Sequence, residues 1–290
     1  MSIPLDSECF QCHLRRNLET ARKLGSEEQA TAFARDLMKL YLTAPADASS
    51  PWLAPATSEL FRHHYGVPED RFAEEKEISN RFVLERIQGI RERVEAAEDP
   101  LLAALQFAIL GNYIDFSSLQ GQVSFEKLDS MLDRAGEMTP VGDGYDALRA
   151  DLEKGKKLLY LTDNAGEIGF DRIFAEMIHE RYPQLEITFC VRGGPAMNDA
   201  LRYDAELVGI PFPVIDNGNR VAGTQIDQLS AEAKAALETS DVIIAKGQGN
   251  IETMYGCGYN VYYAFLVKCA RFVQVFGQPM LTPMLVREKA

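Results

Sequence analysis

Positive charge is in short supply in this 290-residue chain: 30 lysines and arginines stand against 43 acidic residues, for a net charge of −13. A nucleic-acid binder carries a basic footprint for the phosphate backbone, so neither DNA nor RNA is an expected partner. No apolar run approaches the ~20 residues of a membrane span, and no membrane partner is expected. The opening residues Met1 to Asp6 have neither the basic end nor the apolar centre of an export signal. The five cysteines are odd in number, and three sit in apolar or strand-like surroundings. Together these absences lead to the expectation of a reduced, cytoplasmic protein. The Walker pattern G-x-x-x-x-G-K-[ST] and an in-register G-x-G-x-x-G are both missing, which excludes those two nucleotide cradles. There is no internal repeat and no low-complexity tract. The acidity has its own consequence: an anionic substrate needs a local cation, and a bound metal with a few lysines supplies one.

The composition changes along the chain. Residues 1–140 read as successive helices and 141–290 as short β-rich runs alternating with helices, so two domains are expected at that boundary. A first helix is predicted near Glu8 to Leu24, with Leu14, Leu18 and Ala21 on its apolar face and Gly25 ending it. Ser26 with Gln29 forms a capping-box pattern that opens the next. Ala44 to Pro55 is a loop by composition. Residues 69–98 carry charge at helical spacing with Ile78, Phe82, Ile87 and Ile90 as the expected buried stripe, and Pro100 opens a helix apolar on most sides. In the second half, strands are predicted at Lys157–Leu161, Glu186–Val191, Pro213–Asp216, Asp241–Ala245 and Val261–Val267. Helical patterns stand between them, such as Phe170, Ile173, Phe174, Met177 and Ile178. That alternation implies an α/β fold, a mainly parallel sheet with helices on its faces.

Three polar motifs follow three of these strands, and in such sheets ligands bind outside the carboxyl ends of the strands. The first is Thr162-Asp163-Asn164-Ala165-Gly166-Glu167. A carboxylate beside an amide oxygen is a hard donor pair suited to magnesium, manganese or a similar ion, and the following helix N-terminus suits phosphate. The alternative is that Asp163 and Asn164 only make the turn and cap the helix. The second is Arg192-Gly193-Gly194-Pro195-Ala196-Met197-Asn198-Asp199, where Asp199 offers a second carboxylate or, alternatively, caps a helix after a Gly-Pro turn. The third is Lys246-Gly247-Gln248-Gly249-Asn250-Ile251-Glu252: a lysine for phosphoryl charge and backbone N–H groups for phosphoryl oxygens, or a glycine turn with a solvated lysine. A fourth, Gly111-Asn112-Tyr113-Ile114-Asp115-Phe116, ends an apolar helix and either caps it or reaches into the site.

Cys9-Phe10-Gln11-Cys12-His13 has the spacing of haem attachment. That chemistry requires export, and a zinc site requires a second ligand pair that is missing. The pair reads as two small apolar residues on a helix. His63, His64 and Trp52 read as packing or surface residues.

Asp163 to Glu167, Gly193-Gly194-Pro195 with Asn198-Asp199, and Lys246 to Asn250 together resemble the metal-dependent damage-control phosphatases, long known only as a domain of unknown function. Gly111-Asn112 with Ile114-Asp115, the Cys9/Cys12 pair and Lys268-Cys269 are similar to the archaeal and bacterial branch. The likeness covers nearly the whole chain in the same motif order, with Ile251 standing where an aromatic residue is expected. It implies a helical N-terminal portion packed on a Rossmann-like three-layer α/β/α core. It implies a divalent metal (Mn, Ni, Co or Mg) on Asp163, Asn164 and Asp199, and a phosphate or substrate site around Lys246, Gly247, Gly249, Asn250, Asn112 and Glu252. The implied substrates are small phosphorylated metabolites, hydrolysed with Asp115 or Glu167 positioning the attacking water or moving its proton. Two rivals use the same core. An S-adenosylmethionine-dependent methyltransferase needs an acidic residue ending the second strand, where Arg192-Gly193-Gly194 stands; a non-enzymatic phosphometabolite-binding protein binds without turnover.

Overall fold

The structure, a computed structural model, describes residues 2–115, 124–142 and 144–288; Phe116, which closes the fourth motif, lies outside them. The N-terminal half consists of helices α1 (Ser7–Leu24), α2 (Glu27–Thr43), α3 (Ala54–Tyr65), α4 (Ala73–Leu84), α5 (Ile87–Glu95), α6 (Pro100–Gly111) and α7 (Phe125–Asp133). Their ends are written locally. Asp6 accepts from the Cys9 N–H, Ser26 and Gln29 make both bonds of the capping box, and Asp99 caps α6 ahead of Pro100. Phe33, Leu37 and Phe61 close a small core between α1, α2 and α3.

The charged stretch predicted over 69–98 is two helices, α4 and α5, parted at Glu85–Arg86. There the Arg86 guanidinium turns away to grip Asp129 at 2.7 and 3.0 Å. Within it Phe82 and Ile90 are buried as expected, but Ile78 is 45% exposed. The inward face of α4 sets polar residues beside Phe82 and Val83: Asn80 donates to Asp204 at 2.7 Å and accepts from the Gly166 N–H at 2.7 Å. Nine of the twelve residues of α6 are buried, so this helix presents no polar side and lies inside the molecule.

The second half contributes α8 (Gly144–Lys154), β1 (Lys157–Leu161), α9 (Glu167–Arg181), β2 (Glu186–Val191), α10 (Arg202–Leu207), β3 (Val214–Asp216), α11 (Ala231–Thr239), β4 (Val242–Lys246), α12 (Gly247–Met254), β5 (Val261–Leu266), α13 (Ala270–Phe276) and β6 (Pro283–Arg287). The sheet order is β3-β2-β1-β4-β5-β6. β1 to β5 are parallel, and β6 runs antiparallel along β5. The sequence reading missed β6, a five-residue edge strand that starts on a proline. Side chains alternate across the sheet. Leu158, Tyr160, Val242, Ile244, Ala264 and Leu266 face α6 and α9, whereas Leu159, Leu161, Ile243, Ala245 and Phe265 face α11, α12 and α13. The result is the expected three-layer α/β/α core with the N-terminal helices packed on it. Among the described residues no helix is long and apolar enough to cross a membrane.

β1 pairs with β2 on one side and β4 on the other. The chain therefore winds outward from β1 in one direction and then resumes from β4 in the other. The crevice beyond the carboxyl ends of β1 and β4 is the topological switch point where such sheets bind ligands.

Candidate active site

The loops after β1 and β2 are laced together at this crevice. The Ala200 N–H donates to the Asp163 carbonyl at 2.7 Å and the Ala165 N–H to the Asn198 carbonyl at 2.9 Å, while Asn164 and Asp199 form an isolated antiparallel bridge. This lacing brings the two predicted acids to one point. Arg192 Nε lies 2.6 Å from Asp199 Oδ2, and its Nη2 lies 3.9 Å from Asp163 Oδ1. Both carboxylates thus meet a single buried guanidinium. The Asn164 Nδ2 group donates to Asp163 Oδ2 and Glu167 Oε2, each at 2.7 Å, and Asn164 Oδ1 accepts from Asn198 Nδ2 at 2.8 Å. Asn198 Oδ1 is buried and has no hydrogen-bond partner among the described residues.

The β4–α12 junction closes the same crevice from the other side. Gly247 has φ +75°, and a Cβ there would stand 2.0 Å from Asp163 Oδ2; a side chain at this position would displace the carboxylate. Gly249 has a different neighbour, since its Cβ would meet the Ala222 carbonyl oxygen at 2.1 Å. Asn250 is a tie between loops. Its Nδ2 donates to the carbonyls of Thr162 and Lys246 at 3.1 and 2.6 Å, and its Oδ1 accepts from Thr224 Oγ1 at 2.8 Å and Arg192 Nη2 at 3.3 Å.

From the helical half, Asn112 at the end of α6 reaches across. Its Nδ2 lies 2.8 Å from Asp163 Oδ2 and 3.0 Å from Glu167 Oε2, and its Oδ1 accepts from the Leu266 N–H at 3.1 Å. Asp115 accepts from Lys268 Nζ at 2.8 Å. Lys246 points inward, beneath the crevice. Its Nζ donates to Glu167 Oε1 at 2.8 Å, Asp171 Oδ1 at 2.5 Å and the Ala108 carbonyl at 2.8 Å. Glu252 is half-buried on α12, and burial followed by the charge of Asp115 pushes its carboxyl up to about 8. The structure thus gathers Asp163, Asn164, Asp199, Asn112, Glu167, Lys246 and Gly247 in one contact network. Asp115 with Lys268 stands at the neighbouring strand end, and Gly249 and Asn250 mainly hold loops together. Sequence reasoning gave no separate role to Arg192, Asn198, Lys268, Asp171 or Tyr160. Lys268 follows β5 just as Lys246 ends β4, and that strand-end position was the signal available for it.

Five carboxylates (Asp115, Asp163, Glu167, Asp171, Asp199) and three cations (Arg192, Lys246, Lys268) are buried in this region, an excess of two negative charges if all are ionised. Burial, then the charges of Glu167 and Asp199, hold the Asp163 carboxyl well above the usual carboxylate range despite Lys268. Burial also raises Asp199, to about 6, with Arg192 opposing, and raises Asp171 to about 7 against the pull of Lys246. Burial alone would depress the Lys246 ammonium, but Asp171 and Glu167 overcome it and its pKa lies above the ordinary lysine value.

Among the described residues no group of three His, Cys, Asp or Glu side chains is arranged to hold a metal. The donor set at this crevice is of another composition, two carboxylates with amide oxygens. It fits a hard divalent ion on three counts: every donor is oxygen, the buried charge excess is two when all these groups are ionised, and Asn198 presents a buried amide oxygen without a partner among the described residues.

Residues 5–281 match the pattern of the family described as the damage-control phosphatase ARMT1-like domain. An uncharacterised protein of Methanocaldococcus jannaschii is 28% identical over 95% of this chain and 93% of its own length. A damage-control phosphatase of Archaeoglobus fulgidus is 31% identical over 85% of each chain. Another, of Pyrococcus horikoshii, is 32% identical over 64% of each chain. The crystal structure of a DUF89-family protein from Pyrococcus horikoshii superposes with a TM-score of 0.85 at 25% identity, covering 99% of both chains.

Proposed function

Because the chain belongs to the damage-control phosphatase ARMT1-like family, whose pattern spans residues 5–281, we propose that it is a metal-dependent phosphatase hydrolysing small phosphate monoesters such as sugar phosphates or damaged phosphometabolites. The observation that carries this reading is the meeting of Asp163 and Asp199 at the switch-point crevice, on one guanidinium and near the Asn198 amide oxygen, which has no partner among the described residues. An acidic protein turns that crevice hospitable to a phosphate ester by holding a cation in it.

Asp163, Asn164 Oδ1 and Asp199 would hold the divalent ion, Mn, Ni, Co or Mg, with Asn198 Oδ1 next to them. The bound ion supplies neutralisation of phosphoryl charge in the transition state. The remaining roles fall to this chain's own groups. Lys268, buried beside Asp115, engages the phosphoryl oxygens. Asp115 orients the attacking water and accepts its proton on a carboxylate oxygen. Of the two acids expected to handle that proton, Asp115 is favoured. Glu167 is fully buried and its oxygens already face Lys246, Asn112 and Asn164. The reading departs from the sequence expectation at Lys246, whose three N–H groups meet three protein acceptors beneath the crevice.

Phosphate release from a panel of sugar phosphates, with and without Mn, Ni, Co or Mg, tests the proposal in the wild type and in Asp163→Ala. Metal-dependent release that falls at least about 100-fold in Asp163→Ala is expected, the loss of a few kcal/mol of charge stabilisation. Release that ignores chelation or the substitution rejects the metal assignment; ester binding without release favours a binding protein.

A further inference from the structure

Beneath the crevice lies a group of ionised and polar side chains that the hydrolysis scheme does not use. Tyr160, Glu167, Asp171 and Lys246 are all fully buried. Glu167 and Asp171 stand four residues apart on α9 and so share one helix face. The Lys246 ammonium at the end of β4 reaches both, at 2.8 and 2.5 Å, and spends its third N–H on the Ala108 carbonyl of α6. Asp171 Oδ1 accepts a second bond, from Tyr160 Oη of β1 at 2.8 Å. Four elements are thus locked around one ammonium, and that lock presses on the crevice through Glu167 Oε2, most closely on Asn164 at 2.7 Å and also on Asn112 at 3.0 Å.

We propose that Lys246, clamped by Asp171, which Tyr160 holds in turn, is a positioning residue: it holds the Glu167 carboxylate against the Asn164 amide, so that the oxygen of that amide and not its nitrogen faces the cation side of the crevice. The inference rests on the reading of Asp163, Asn164 and Asp199 as metal ligands. An amide has nearly the same shape after a half-turn about its terminal bond, but the half-turn exchanges an acceptor for a donor. A hard cation accepts only the oxygen. In the observed orientation the two amide hydrogens point to Glu167 Oε2 and Asp163 Oδ2, each 2.7 Å from Nδ2. After a half-turn the amide oxygen would confront two carboxylate oxygens with no hydrogen between them. Glu167 imposes this choice only while it stays an acceptor in place, and Lys246 is its one cationic partner among the described residues. Asn112 Nδ2 and the Asn164 N–H, at 3.0 and 3.3 Å from Oε2, complete its surroundings. A buried ion cluster adds little net stability over apolar packing, so orientation is the consequence in which this one differs from a core of leucines. Outer groups that orient metal-binding side chains change metal affinity by about 10–100-fold when removed.

The test is Mn2+ binding without substrate, followed by calorimetry or by loss of the free-ion paramagnetic resonance signal. It compares the wild type with Glu167→Gln, Lys246→Met, Asp171→Asn and Asp163→Ala, each checked for a native melting transition. Folded Glu167→Gln and Lys246→Met are expected to bind Mn2+ about 10–100-fold more weakly, with Asp171→Asn weakened less. The double variant at 167 and 246 is expected to lose no more than the worse single one, because both act through one contact. At saturating Mn2+, ester hydrolysis by Lys246→Met should recover with KM unchanged. A phosphate-binding lysine would instead raise KM at every metal concentration, and that result overturns the proposal. So does wild-type Mn2+ affinity in folded Glu167→Gln, the variant that keeps shape and volume, when Asp163→Ala abolishes binding. If Asp163→Ala binds Mn2+ as well as the wild type does, the metal reading itself fails and takes this inference with it.

Discussion

The two sides of the crevice differ in how far solvent and solutes can reach them. On the inner side, Tyr160, Glu167, Asp171 and Lys246 are completely buried, and Asp171 Oδ2 is their one side-chain polar atom without a partner among the described residues. On the outer side, Asp115, Asp163 and Asp199 keep 6%, 7% and 4% exposure, with Arg192 and Lys268 as their buried cations, and Asn198 Oδ1 has no partner among the described residues. The contrast therefore separates two tasks that the motifs alone blend together. The sealed side fixes geometry, and the side that solvent reaches is where a cation and an anionic substrate complete the structure.

The sharpest way to break that division is to act on the outer side without touching the metal ligands. Asp115→Asn removes the proposed proton acceptor and is expected to lower kcat about 100-fold or more, while Mn2+ affinity stays within a few-fold of wild type. Steady-state kinetics at saturating metal check this, and a wild-type kcat would return the role to Glu167. A smaller effect is expected from Lys268→Met. Loss of a charge-assisted contact to phosphate costs about 1.5–3 kcal/mol, an increase in KM of about tenfold or more, in contrast to the unchanged KM expected for Lys246→Met at saturating metal.

The smallest effect concerns stability. The Asp199 carboxyl lies at about 6, above the ~3.9 of an unfolded chain. The folded, metal-free protein therefore binds more protons than the unfolded chain between those values, and its stability falls as pH rises from about 4 through about 6. Asp163 and Asp171, both raised, push in the same direction. Melting of the metal-free protein is expected to drop by a few degrees between pH 5 and 7.5 through this site, less steeply in Asp199→Asn, and Mn2+ should offset the drop. An unchanged slope in Asp199→Asn would show that this carboxyl is not under-compensated.

Much of this arrangement was legible in the sequence. Short apolar runs followed by Asp163-Asn164, by Asn198-Asp199 and by Lys246 predict a parallel sheet with polar loops at one edge, and the edge is where the structure has them. The helix ends at Ser26 and Asp99 were equally plain, because a cap is a local contact between residues three apart. What escaped was long-range. Lys246 reads as a phosphate lysine until strand alternation is followed to its end. Val242, Ile244 and position 246 fall on the same face, and Val242 and Ile244 pack toward α6 and α9, which sends the ammonium inward to Glu167 and Asp171. Lys268 follows Ala264 and Leu266 by the same step of two, but it lies beyond the end of β5 and stays at the crevice. Ile78 defeated the apolar-stripe rule because α4 buries Asn80 and Lys76 instead, residues whose partners Asp204 and Asp70 lie on other segments. β6 gave little local pattern, since its pairing partner β5 supplies most of what makes it a strand.

The most direct test of the account is an anomalous-scattering map from crystals of the full chain soaked in Mn2+ and collected at the manganese edge. It predicts one strong peak bounded by a carboxylate oxygen of Asp163, Oδ1 of Asn164 and a carboxylate oxygen of Asp199. A map with no peak there, and Arg192 still seated between the two carboxylates in a crystal saturated with the ion, would contradict it.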